Sequence, residues 1–328
     1  MAASGVRASL RSGLRKVCEA SRHVVLVQVW SLLLAAVLGS VLFAAIRTSI
    51  GSSLAGDRLR AGWDSLWYYG FAAQASGVAS TLKPTVSGRG AVLDALDAFL
   101  DGFAALLAGG VGTGVLPAAI LFLLSWTFFA GGFIARFFDP GSRFLERAGR
   151  FFPRLVVVAI LGLVAYAAIL GPLRGSLDAV REARLHDETD ERVRFTWTLA
   201  EYLLLWALAL LANLLLDYTK VFLVQRDEGG LVVGPARALG RAALLVARQP
   251  RRTIGLYLLT GLVALSLPLL YVAVAPGSGQ SSAAGILAAF LAGQLYLLAR
   301  VAARCLFWAG ETVVVAELDA PEVLPEAA

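Results

Sequence analysis

The chain has 328 residues, of which 58% are hydrophobic and only 16% charged, with a mean hydropathy of +0.74. A water-soluble globule carries about 25% charged residues, so polar surface is too scarce here to cover one of this size. The net charge of +6 does not point to nucleic acid, because the basic residues flank apolar blocks and form no single patch.

The apolar blocks have the length of a bilayer crossing, about 20 residues. Backbone groups in hydrocarbon must satisfy one another, so blocks of this kind read as helices. The sequence predicts an all-α polytopic membrane bundle with six spans, at 24–46, 115–135, 155–173, 197–216, 254–275 and 284–303. Together they make one membrane domain over 1–318, followed by a disordered acidic tail at 319–328.

In chain order, Arg7, Arg11 and Arg15 recur every four residues before the first span, with Leu10, Leu14 and Val17 on another face. The first span exceeds the apolar region of a cleaved leader, about 7–15 residues, and reads as a permanent anchor. The connection 47–114 is too long for a turn and is read as an external amphipathic insertion. Its part 57–81 carries Leu59, Trp63, Leu66, Trp67 and Tyr68 near helical spacing, which suits a helix on the outer leaflet or a partner-binding element. Its part 92–107 places Asp94, Asp97 and Asp101 on one face, a solvated face with too few ligands for a metal. Gly109, Gly110, Gly112 and Gly114 read as a hinge before the second span.

The second span exits at Ala135-Arg136-Phe137-Phe138. Arg143, Arg147, Arg150 and Arg154 then oppose Phe144, Ala148, Phe151 and Leu155, an elbow helix that leads into the third span. Pro172 and Pro268 mark candidate kinks. The run 186–191 is the densest acidic patch, but Arg181, Arg184, Arg192 and Arg194 flank it, so it reads as a salt-bridged external loop rather than a metal site. In the fourth span Glu201 is close enough to the outer end to reach headgroups. Asn213, Asp217 and Lys220 share a face near the inner end. A third elbow sets Arg237, Arg241 and Arg248 against Leu239, Ala243 and Val246. The sixth span carries Arg300 and Arg304 near its inner end, where they can snorkel.

Charge sets the orientation. The segments 1–22, 136–154 and 217–252 are basic by five to one, five to two and seven to three, whereas 47–114 and 174–196 are balanced or slightly acidic. The positive-inside rule puts the basic segments, and both termini, in the cytoplasm. The richness in Arg and Ala suggests a GC-rich bacterial genome, and the expected location is the bacterial cytoplasmic (inner) membrane. Three times the same unit recurs: a basic elbow, a span out, an external connection and a span back, such as parallel repeats in transporters use. Arg143, Arg147, Arg237 and Arg241 are the candidate contacts to anionic headgroups, the expected partner at this face.

Charges inside spans cost about 2.5–3.5 kcal/mol each at mid-membrane, so the few present are the best clues. Asp217 opposes its helix dipole and an anionic leaflet, which predicts a partner: Lys220 locally, and Arg300 or Arg304 across the bundle. Cys18 and Cys305 are too few for a disulfide framework or a Cys-based zinc site. With only His23 and His186, on opposite sides, no nucleophile–base pair, metal set or nucleotide motif assembles, so no catalytic, cofactor or metal residue is expected. In the stretch 214–259 a span exit runs into a basic elbow, and Pro250-Arg251-Arg252-Thr253 opens the next span. That pattern resembles bacterial six-span membrane families, including the membrane domain fused to some glycerophosphodiester phosphodiesterases. The resemblance implies a membrane module without catalytic residues. The sequence thus suggests a non-enzymatic scaffold or accessory subunit, docking an unidentified membrane-protein partner; the alternative is a transporter-like or lipid-handling permease, favoured if Asn213, Gln294 and Arg300 line a polar cavity.

Overall fold

A computed structural model of the chain describes residues 2–51, 54–62, 64–82, 102, 115–227, 229–275 and 282–318. The expected features at Trp63, 92–107 and Gly109–Gly114 of the insertion, and the tail 319–328, lie outside the described residues. Among those described there is no strand. The elements are α1 (Ala2–Glu19), α2 (Ser21–Gly51), α3 (Ala55–Ala61), α4 (Ser65–Gln74), a 3-10 turn (Gly77–Leu82), α5 (Val115–Phe138), α6 (Phe144–Ala168), α7 (Arg174–Leu185), α8 (Glu191–Arg226), α9 (Val233–Arg248), α10 (Pro250–Val274) and α11 (Ala283–Leu318). Six helical stretches are long and apolar enough to cross a membrane: α2, α5, α6 with α7, α8, α10 and α11. The protein is an all-α, multi-pass integral membrane protein.

The helices outrun the membrane. With 36 residues each, α8 and α11 are about 54 Å long at 1.5 Å per residue, against a hydrocarbon core of about 30 Å. At one end, here called the basic end, α1 packs on α11, α5 on α6 and α8 on α9. The main core lies there. It joins Val17 and Val24 to Phe133, Phe137, Phe151, Leu155, Tyr218, Val221, Ala242, Leu256, Trp308 and Val315, drawn from every span and from α1 and α9. Toward the opposite end contacts thin into two separate patches: Leu170, Tyr202 and Leu205 where α6, α7 and α8 meet, and Phe71, Ala75 and Ala79 against the far end of α2. The outer halves of α2, α10 and α11 instead present Val37, Phe43, Leu265, Leu269, Leu287 and Leu295 outward. Such a surface is stable only in lipid.

At the basic end the packing goes round in threes. The exit of α5 packs on the start of α6, the exit of α8 on α9, and the exit of α11 on α1, so the last span closes on the first elbow. Close approach makes this possible: a Cβ on Gly132 would lie 2.8 Å from the Phe144 ring, and one on Gly13 would lie 2.9 Å from the Gly310 nitrogen. Two hairpins are also clasped at their feet. Arg154 meets Asp227 at 3.0 Å, joined by Arg150, and Arg252 meets Glu317. Asp227 ends α8 in the left-handed region (φ 43°), a conformation Asp tolerates better than most residues.

Several expectations need correction. The second elbow is not a separate interfacial helix: α6 runs from Phe144 through Pro153 into the span without a break. The third elbow, α9, is separate, ended by Gln249 with Pro250 in the first turn of α10, where a missing N–H is harmless. Its buried face includes Val246, as expected, but with Ala238 and Ala242 in place of Leu239 and Ala243. The run 186–191 is non-helical at 186–190, as expected, and the rest of 174–196 is helical, in α7 and the start of α8. A π turn at Ile169–Leu173, containing Pro172, carries the third span on into α7, because the ring cannot accept the regular α ladder. The external aromatic segment is not one helix. It folds as α3, α4 and the 3-10 turn, with Trp67 stacked on Phe71 at 5.3 Å and donating its Nε1 to Ser49 of α2 at 3.2 Å.

Candidate functional site

The densest polar cluster centres on Asp217, near the basic end of α8. The periodicity that buries Leu214, Tyr218 and Val221 carries Asp217 into the core, where it is 0% exposed. From α11, Arg304 forks onto it: Nη1 donates to Oδ2 and Nη2 to Oδ1, both at 2.8 Å. Lys220 Nζ donates to Oδ1 at 2.9 Å, and Trp308 Nε1 donates to the same oxygen at 3.2 Å. Both cations also lie over the Trp308 ring, Arg304 at 5.1 Å and Lys220 at 5.8 Å. A planar guanidinium matches a carboxylate with two parallel bonds, which fixes direction as well as distance. Asp217 thereby locks α8 to α11, two helices from different hairpins.

The expected residues divide. Asp217, Lys220 and Arg304 come together. Arg300 does not join them; it is exposed and lies over Tyr296 at 5.8 Å, because position 300, on nearly the same face of α11 as 304, is one turn (about 6 Å) farther along the helix. Asn213 stands one turn above Asp217 and donates to Tyr257 Oη of α10 at 2.5 Å. Gln294 accepts from Gln28 at 3.0 Å, joining α11 to α2. Asn213, Gln294 and Arg300 thus have three separate neighbours. Glu201 does not reach headgroups: it is buried, and α7 brings Arg181 to it. Of the headgroup candidates, Arg143 and Arg237 are exposed and Arg147 and Arg241 half-buried, Arg143 pairing with Glu146 at 3.6 Å.

Sequence reasoning missed three participants. Trp308, Glu311 and Thr312 lie past residue 303, where a span of ordinary length ends, yet α11 continues to Leu318. Thr312 accepts from Lys16 of α1 at 3.1 Å. Glu311 is 2% exposed and lies within electrostatic reach of Asp217, Arg304 and Lys220. Neither its carboxyl oxygens nor the nearby Tyr218 hydroxyl has a hydrogen-bond partner among the described residues. Two acids and two cations therefore share one desolvated pocket of side chains. The available signal was the spacing Arg304, Trp308, Glu311, which repeats at four and three on one helical face.

Chemically the arrangement is a staple. Asp217's oxygens are saturated by fixed donors, and no group of three or more His, Cys, Asp or Glu able to hold a metal occurs among the described residues. No family model matches the chain, and no curated protein or solved structure matches it either.

Proposed function

We propose that the protein is a non-enzymatic scaffold or accessory subunit of a bacterial cytoplasmic membrane, with its basic end and both termini in the cytoplasm. One observation carries this reading: of the polar side chains that a transport path would use, three are engaged with other helices, and Arg300 is exposed over Tyr296 of its own helix. Asp217 is held by Arg304, Asn213 by Tyr257 and Gln294 by Gln28. The likeness of 214–259 to a membrane domain that accompanies separate catalytic domains agrees with it. Leu66 and Tyr69 of α4 are exposed at the far end and are the surface on which a membrane-protein partner would dock, since exposed aromatic and apolar groups off the membrane mark interaction sites.

A photocrosslinking residue at Leu66 or Tyr69, in native membranes, tests the proposal. A discrete adduct of one size supports it. Translocation of a solute or lipid by the purified protein alone in proteoliposomes overturns it, in favour of a permease. That second reading draws on the three hairpins closed in a ring at the basic end, with looser packing opposite. Orientation has its own test, because Cys18 is exposed and Cys305 buried. A membrane-impermeant maleimide labels Cys18 in inside-out vesicles and not in intact spheroplasts if the basic end is cytoplasmic.

A further inference from the structure

A cleft of about 200 Å³ opens at the basic end between α1 and the exit of α5. Arg15, Lys16 and Arg136 line it, with one acid, Glu19, and an apolar wall from Phe138 and Pro140. Its cations are poorly balanced. Lys16 donates to the neutral hydroxyl of Thr312, and Arg136 to the Ser142 carbonyl at 3.3 Å. Neither has a carboxylate within ion-pair distance among the described residues. Glu19 pairs instead with Arg15 at 3.7 Å on the open side, a contact that solvent weakens. Partial burial lowers Lys16 from the ordinary lysine range, and Arg15 adds to this against the opposing pull of Glu19. A half-buried ammonium and guanidinium that no carboxylate reaches within ion-pair distance are left incompletely balanced, which favours an entering anion.

We propose that this cleft is a binding site for a phosphate-bearing anion at headgroup depth, the phosphodiester of an anionic phospholipid. Position and size support that chemistry. Arg136 stands two residues before the end of α5, the end of an apolar span, which is where lipid phosphates would lie if the basic end faces an anionic leaflet. The volume is below the roughly 300–1,000 Å³ of small-molecule pockets, so it admits a head group and leaves the acyl chains outside against the apolar spans. Arg136 retains donors on the guanidinium for a phosphate fork, and Lys16 has two N–H bonds to offer. The site differs from the exposed elbow residues Arg143 and Arg237, which meet an anionic surface without enclosing any part of it. The inference rests on the reading that the basic end faces an anionic leaflet.

The full chain is placed in nanodiscs of phosphatidylcholine alone or with phosphatidylglycerol, and the lipid-dependent shift in melting temperature is taken within each variant. Comparing shifts rather than absolute values removes any loss of the Lys16–Thr312 bond. The wild type is stabilised by phosphatidylglycerol. Lys16→Gln and Arg136→Gln each lose most of that shift, while Arg11→Gln, the same charge removed from an exposed position of α1, keeps it. A stabilisation by inorganic phosphate in neutral nanodiscs, lost in the same two variants, supports the site and assigns it a soluble phosphate instead. Equal loss in Arg11→Gln, or no loss in Lys16→Gln and Arg136→Gln, overturns the site. Maleimide labelling of Cys18 reports orientation separately, so failure of that reading is distinguishable from failure of the cleft.

Discussion

Asp217 concentrates the energetic conflict of the bundle in a single side chain. A carboxylate with no exposure loses its hydration, and only several well-placed donors offset that loss. Arg304, Lys220 and Trp308 supply four contacts. Removing Asp217 leaves Arg304 and Lys220 without their carboxylate, and removing Arg304 leaves Asp217 with Lys220 and Trp308 alone; breaking a buried pair in this way typically costs about 3–5 kcal/mol. Asp217→Ala and Arg304→Ala are each expected to lower the melting temperature in detergent strongly. The double variant is expected to fall short of the sum, because each single change already breaks the shared interaction. Additive losses would show that the pair does not couple α8 to α11. That Asp217 needs a partner was legible in the sequence, but the span expected to end at 216 continues as α8 to Arg226, so burial rather than the helix dipole is what requires the partner. The rest was not: hydrocarbon thickness predicts where a span may end, and nothing in it predicts that α11 runs on to bury Glu311 and Thr312. The choice of Arg304 over Arg300, which share a helical face one turn apart, depends on how far along its axis α11 is set against α8, a tertiary property that apolar periodicity leaves open.

The elements whose ends lie outside the hydrocarbon obey the ordinary rules of helices in water, and α4 shows this best. Asp64 caps it, accepting from Trp67 N–H at 3.1 Å and from Arg58 Nε at 2.6 Å. The Arg58 hydrogen bond, then the backbone bond, hold its carboxyl below the usual aspartate range. Because the folded value is depressed, the contribution of Asp64 is complete above the ordinary aspartate value and disappears as the pH falls through the folded one. Asp64→Ala is expected to speed hydrogen exchange across 65–74 at neutral pH, and the wild type to approach the variant in acid. Equal exchange at neutral pH would mean that the stacking of Trp67 on Phe71, not the cap, holds α4. The misreadings at this scale share a cause. Elbow and span were separated wherever the charge pattern changed, yet a helix breaks only where its backbone does. Gln249 followed by Pro250 gives such a break before α10; at Pro153 the helix continues. In the third elbow's stripe Val246 was placed correctly, while Ala238 and Ala242 stand in for Leu239 and Ala243, because close approach of helices favours small side chains at the contact surface.

At the scale of the molecule, six crossings were readable because length and apolarity alone define a span. Closure was not. That α11 returns to pack on α1, completing the ring begun by α5 with α6 and α8 with α9, depends on contacts such as Gly13 against Gly310, which carry no local signal. The consequence is a lopsided distribution of cohesion. At the basic end, protein side chains fill the space around each apolar residue. At the other end, much of that neighbour role falls to lipid. Two leucine truncations of the same chemistry should therefore differ by where they fall. Leu155 in α6 is 1% exposed within the main core, so Leu155→Ala opens a cavity and is expected to cost about 2–5 kcal/mol. Leu265 in α10 is 60% exposed, and Leu265→Ala only exchanges side chain for acyl chain, with a change within about 0.5 kcal/mol. Reversible unfolding of both variants in mixed micelles measures the difference directly. A large loss at Leu265 would mean that a protein surface covers the outer half of α10 in solution, and the site of that loss would locate the surface.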